Sequence, residues 1–263
     1  MTHPTFKYVG NKIFDPSGLI RVGECDGSVD AFRIVVLVQS AVPVILAPNG
    51  TVAADGTLTL GTALPANYAN AWVYLPAGAV VGGAAGLYLV QFTSTTVGSV
   101  KTNFVNPAGA FNPNVPNGPF VAAVGSGSAY TQVTNTDVNL ANVTIPGGLM
   151  GGNGAVRTTV QSSNNNSAGN KIVTYKYAGA TGVAGTLTAT TGARSQFQTS
   201  NRGNQALNVS YASFSAPFGT TSNPIPYTAV NTAVDQSLAV TGQIATATDY
   251  IVFESLMVEV LPG

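Results

Sequence analysis

Tyr250-Ile-Val-Phe-Glu-Ser-Leu-Met-Val-Glu-Val-Leu261 is the stretch that decides the fold class. In a strand, successive side chains alternate between two faces. Tyr250, Val252, Leu256 and Val258 then share one face, and Ile251, Phe253 and Met257 share the other. A strand apolar on both sides lies centrally in a layered β structure or is covered by a neighbouring subunit. The same alternation points Glu254 and Glu259, five residues apart, to opposite faces.

The pattern recurs upstream. In Lys171 to Tyr177, Val173, Tyr175 and Tyr177 share a face, with Thr174 and Lys176 on the other. In Gln205 to Tyr211, Leu207, Val209 and Tyr211 face one way and Asn208 and Ser210 the other. Thr186 to Thr190 alternates Thr with Leu187 and Ala189. Thr57 to Leu60, Ala71 to Leu75 and Gly86 to Phe92 read as strands too. The apolar run Ile34 to Ala47 is interrupted by Gln39, Ser40 and Pro43. It is shorter than the roughly 20 residues of a membrane helix and reads as two buried strands meeting near Ser40 to Pro43. Helical periodicity is nearly absent, and 30 Gly and 15 Pro punctuate the chain. Short alternating runs bounded by Gly, Asn and Pro predict an all-β sandwich or barrel.

Charge is the second strong signal. Only 8% of the 263 residues are charged, against a typical level of about 25%. Between Gly56 and Thr136 there is one charged residue, Lys101. Short neutral side chains lose little rotamer entropy when a subunit covers them and leave no unpaired charge in an interface. Ten basic groups balance ten acidic ones, which argues against nucleic-acid binding. Eight of the twenty charges fall between Lys7 and Arg33. That cluster reads as a solvated surface or, more sharply, as a region anchoring to a more polar partner. Residues 106–127 carry Pro107, Pro113, Pro116 and Pro119 and suit a linker or extended arm.

Catalytic constellations are sparse. The only His is His3 and the only Cys is Cys25, which excludes an intrachain disulfide and a Cys/His zinc site. Cys25 reads as a small buried residue. Glu24, Asp26 and Asp30, with Asp15, resemble a calcium loop only loosely, and a turn of solvated acids is the plainer reading. Gly147-Gly-Leu-Met-Gly-Gly-Asn-Gly154 is followed by Ala155-Val-Arg-Thr-Thr-Val160, a strand pattern rather than the helix a phosphate cradle needs, so it reads as a tight turn. Ser163-Asn-Asn-Asn-Ser-Ala-Gly-Asn170 reads as a solvated loop. Tyr68, Trp72, Tyr74 and Tyr88 form either a sugar-binding shelf or, by preference, core or subunit interface. No catalytic, cofactor-binding or metal-binding residue is assigned, and the chain is read as non-enzymatic.

Three blocks carry a resemblance. They are Leu75-Pro-Ala-Gly-Ala-Val-Val-Gly-Gly-Ala-Ala-Gly-Leu-Tyr88 with Phe92-Thr-Ser-Thr-Thr-Val-Gly98, Met150-Gly-Gly-Asn-Gly-Ala-Val-Arg157 with Asn165-Asn-Ser-Ala-Gly-Asn-Lys-Ile172, and Ala247 to Pro262. Together they resemble structural proteins of tailed bacteriophages. The resemblance implies one or two β-sandwich or jelly-roll domains assembled as a homotrimer. It also implies a place in the virion, after synthesis in the host bacterial cytoplasm. The expected role is a head fibre or capsid-decorating (cement) subunit, with other virion proteins as partners, the major capsid protein first among them. The alternative is a receptor-binding tail fibre or tail tip recognising host surface glycan. The expected regions are 1–50, N-terminal attachment; 51–106, a first β-rich region; 107–127, a Pro/Gly-rich linker or arm; and 128–263, a C-terminal β-sandwich. No cofactor, nucleic acid or membrane insertion is expected.

Overall fold

The computed structural model describes residues 34–40, 42–80, 83–106, 128–212 and 227–263, with the backbone of three short strands before residue 25. Those three, β1 (Lys7–Val9), β2 (Lys12–Phe14) and β3 (Arg21–Glu24), pair antiparallel in that order. Next come β4 (Val35–Ser40), β5 (Val44–Leu46), β6 (Gly50–Val52), β7 (Thr57–Leu60), β8 (Ala71–Leu75), β9 (Gly86–Phe92), β10 (Val97–Asn106) and β11 (Ser128–Tyr130). Then follow β12 (Val138–Ile145), β13 (Ala155–Asn164), β14 (Lys171–Tyr177), β15 (Ala180–Leu187), β16 (Gly192–Asn201), β17 (Asn208–Ala212), β18 (Tyr227–Thr228), β19 (Gln236–Ile244) and β20 (Ile251–Leu261). The described residues are therefore all-β, without a helix. The expected linker, 107–127, lies outside them.

Thirteen strands form one sheet, in the order β11-β6-β7-β10-β9-β8-β5-β20-β13-β16-β17-β18, with β4 also on β20. Four more form a second sheet, β12-β19-β14-β15. β20 is central. β13 pairs along one edge, while β5 takes Ile251 to Phe253 and β4 takes Leu256 to Val260 on the other. β4 and β5 are the two strands expected from Ile34 to Ala47. They part at Pro43, which has no N–H for a ladder.

One feature of β20 departs from strict alternation. Gln161 and Ser162 of β13 are adjacent, yet they pair with Ser255 and Phe253, leaving Glu254 extra. Such a bulge adds a residue without advancing the pairing and swaps the faces beyond it. Leu256, Val258 and Val260 therefore join Ile251 and Phe253 in one core, while Tyr250 and Val252 lie in another. The expected grouping of Leu256 and Val258 with Tyr250 and Val252 is thus corrected. So is the expectation for the two glutamates: Glu254 and Glu259 lie on the same face.

The first core lies where the four-stranded sheet faces the large one. Val173, Tyr175, Tyr177, Leu238 and Val240 meet Val156, Val160, Phe197, Phe253 and Val258 there. Tyr175 stacks on Phe197 across it, with ring centroids 5.3 Å apart. The second core lies inside the run from β5 to β11, lined by Ile45, Leu58, Val73, Tyr88, Val90 and Val100. That run is rolled. Just beyond β11, Gln132 donates from Nε2 to the carbonyls of Ala47 (3.0 Å) and Tyr74 (3.1 Å), beside the strands at its opposite end. β8 consequently serves both cores, with Trp72 facing the first and Ala71, Val73 and Leu75 the second.

β17 sorts its faces as expected, but the polar face is the buried one. Asn208 and Ser210 are enclosed, and Leu207, just before the strand, is exposed. Asn208 Nδ2 donates to Asn201 Oδ1 (2.7 Å), and Ser210 Oγ bonds Thr199 Oγ1 (2.8 Å). Burial is tolerated because these atoms have partners. β15 ends at Leu187, and Ala189 takes a left-handed turn with φ 49°.

Candidate functional site

Strand register gives the molecule two distinct ends. Val35 pairs with Val260, Leu261 with Ala155, Ala155 with Ser200, Asn201 with Asn208, and Asn208 with Thr228. These pairs mark one end of the sheet. The large apolar side chains exposed among the described residues are Ile34, Val36, Leu207, Tyr227 and Val234. Ile34, Val36, Leu207 and Tyr227 each adjoin a residue of those pairs. Val234 belongs to the turn in which Thr232 N donates to Gln205 O (2.8 Å). The Arg202 guanidinium sits over the Tyr227 ring, 5.2 Å from its centroid, a contact of the cation–π kind.

The glycine run 147–154 closes this same end as turns, as expected. Gly148 and Gly151 have φ of 76° and 67°, which favours glycine. A Cβ on Gly154 would run into the Met150 and Leu261 carbonyls. β13 follows, so no helix N-terminus faces the loop.

The opposite end is polar and closed. Lys171 and Asp249 are buried there, 0% and 1% exposed, with Nζ 3.9 Å from Oδ2. Nζ donates to Ser167 Oγ and the Gly169 carbonyl, both at 2.8 Å, with a longer contact of 3.4 Å to the Ser167 carbonyl. Asn165 Nδ2 donates to Asp249 Oδ1 (2.7 Å), and Asn165 Oδ1 accepts from Tyr250 N (3.1 Å). Asp249 Oδ2 accepts no hydrogen bond. Burial pulls the Lys171 amine below its ordinary value, and the Asp249 charge pulls it part-way back. A Cβ on Gly169 would collide with the Asp249 carboxylate and meet Thr246 Oγ1 at 2.8 Å. The stretch 163–170 begins as the end of β13, and its loop leaves Asn166, Ala168 and Asn170 exposed, as expected, while Ser167 and Gly169 fold around the Lys171 amine. Its sequence gave no sign of this, because the partner carboxylate lies 84 residues from Asn165.

The aromatic set does not converge. Trp72 is buried toward the first core and Tyr88 toward the second, its hydroxyl on the Ala84 carbonyl at 2.8 Å. Tyr68 donates to Glu254 Oε1 (2.7 Å), and burial followed by that bond raises its pKa well above the usual phenol value. The preferred reading of these residues as core is the one the structure supports. Glu259 pairs with Arg157 (2.9 Å). With a strand rise near 3.3 Å per residue, Glu254 and Glu259 are roughly 15 Å apart, too far for paired-carboxylate hydrolysis. Among the described residues no three His, Cys, Asp or Glu side chains are placed to hold a metal ion. Placement of the side chains of His3, Asp15, Glu24, Cys25, Asp26 and Asp30 lies outside the described residues.

Comparisons with protein families, with curated proteins and with solved structures find no match to this chain.

Proposed function

We propose that this chain is a non-enzymatic structural subunit of a tailed-phage particle, a head-fibre or capsid-decorating protein. In this reading its two facing sheets are a β-sandwich body, three copies assemble, and the end bearing Ile34 docks on the particle, the major capsid protein being the partner.

One observation carries the reading: the coincidence of two asymmetries. The exposed apolar side chains Ile34, Leu207, Tyr227 and Val234 gather at one end. Residues 1–33, with eight of the twenty charges, join the body at that same end, immediately before Ile34. Apolar anchors beside a charged segment suit a recognition surface, while the nearly uncharged body presents little repulsion to copies of itself. The burial of Trp72 and Tyr88 removes the aromatic shelf that a glycan reader would have used.

The test is binding of purified protein to emptied phage capsids and to whole host cells, with light scattering for mass. The expected result is a trimer that binds capsids and not cells. A stable monomer at micromolar concentration overturns the assembly, and binding to cells alone overturns the docking role.

A further inference from the structure

We propose that Lys171 and Asp249 condense to form an intramolecular isopeptide bond between Nζ and Cγ, releasing one water. The bond would tie β14, in the four-stranded sheet, to the start of β20, at the centre of the large one.

The geometry is that of a pre-assembled pair. Both side chains are essentially without solvent contact, and Nζ is 3.9 Å from Oδ2. An ammonium has three N–H groups to place, whereas a neutral amine has two and a lone pair. Nζ has two short acceptors, Ser167 Oγ and Gly169 O, and only a 3.4 Å contact for a third. Asp249 Oδ1 is held by Asn165 Nδ2, while Oδ2 accepts nothing. Asn165 is thus a positioning residue: it fixes the carboxyl, polarises it, and leaves the other oxygen as the leaving group. Gly169 leaves no room beside that carboxylate for a side chain.

The step balances within the pair. One proton passes from Nζ to Oδ2, converting ammonium and carboxylate into amine and carboxylic acid with no change in net charge. A dry site favours the neutral pair. The Nζ lone pair then adds to Cγ, the Cγ–Oδ2 bond breaks, and Oδ2 departs as water with its own proton and one more from Nζ. Nothing is oxidised or reduced. Once Nζ closes to within about 3–3.5 Å of Cγ, groups held in this way react as though at concentrations on the order of 10⁵ M or more, and exclusion of water opposes hydrolysis. Burial also lowers the amine's proton affinity, which favours the nucleophilic form.

Intact-mass spectrometry of the full chain, purified folded and then denatured, decides the matter. The expected result is a mass lower by one water, with peptide mapping joining the segments that carry Lys171 and Asp249. Lys171→Arg and Asp249→Ala should restore the full mass. Asp249→Asn should lose ammonia in place of water. Asn165→Ala should slow closure at least tenfold after refolding. Full mass in the folded natural chain, a deficit that maps elsewhere, or a deficit that persists in Lys171→Arg each overturns the proposal, whether or not the variants fold well.

Discussion

The two cores are built on different terms. The core between the sheets is crossed by side-chain hydrogen bonds: Tyr175 OH to Thr199 Oγ1 (2.9 Å), Thr199 to Ser210 (2.8 Å), and Asn208 to Asn201 to Thr232 (2.7 and 2.8 Å). The core inside the rolled strands is apolar, and its buried Tyr88 and Tyr130 hydroxyls end on the backbone carbonyls of Ala84 and Pro48. Apolar volume tolerates adjustment. A buried polar chain does not, because each atom requires its partner at one register. The first core therefore specifies how two sheets align, and the second chiefly supplies buried area.

The most severe expected effect spans both cores. Burial raises the pKa values of Tyr74, Tyr88, Tyr130, Tyr175 and Tyr250, as well as Tyr68, and pushes Tyr177 up to about 12. In the unfolded chain these phenols ionise near pH 10. Above that pH the folded state holds more protons than the unfolded, so stability is full below about pH 10 and is lost as pH rises. Lys171, lowered by burial, acts the other way before any condensation, one group against seven. Tyrosinate absorbance and circular dichroism should change together in one alkaline transition. Ionisation without loss of structure would contradict the enclosure of these rings.

Phe253→Ala, in the core between the sheets, should cost about 3–5 kcal/mol, read from the urea midpoint. Ile45→Val in the rolled core should cost only about 0.5–1.5 kcal/mol. Gly154→Ala, whose new methyl meets two carbonyls, should cost about 1–3 kcal/mol. Loss of secondary structure at the glycine run would accompany it.

Thr199→Val sharpens the contrast most directly. It removes the hydroxyl between Tyr175 and Ser210 at constant shape, and should cost about 1–3 kcal/mol. Tyr88→Phe in the other core should cost nearer 0.5–1.5 kcal/mol. Equal costs would erase the distinction. The smallest change expected is Arg157→Gln. Arg157 is itself partly exposed and Gln keeps a donor for the buried Glu259 carboxylate, so the loss should stay at about 1 kcal/mol and shrink further in salt.

Much of the β architecture was legible along the chain. Thr57 to Leu60, Ala71 to Leu75, Gly86 to Phe92 and Lys171 to Tyr177 coincide with β7, β8, β9 and β14, because the first and last alternate and the middle two are short apolar runs rich in β-prone residues. What escaped depended on distant partners. Period two fails at Glu254, whose bulge is set by pairing with β13. Asn208 and Ser210 face inward because Asn201 and Thr199 await them there. Nothing local to Lys171 names Asp249 as its partner.

The position of β20 has a consequence for how the molecule is made. It holds β4 and β5 on one edge and β13 on the other; β5 also has β8 close by in sequence, but residues 35–40 of β4 find their strand partner only roughly two hundred residues later. At a synthesis rate of about 5–20 residues per second, that early strand waits on the order of 10–40 s for the strand that completes it. During that interval Val35 to Ser40 is an uncharged, β-prone segment without its ladder. The growing chain is then most exposed to pairing with the wrong neighbour, and the arrival of residues 251–260 ends that exposure in a single event.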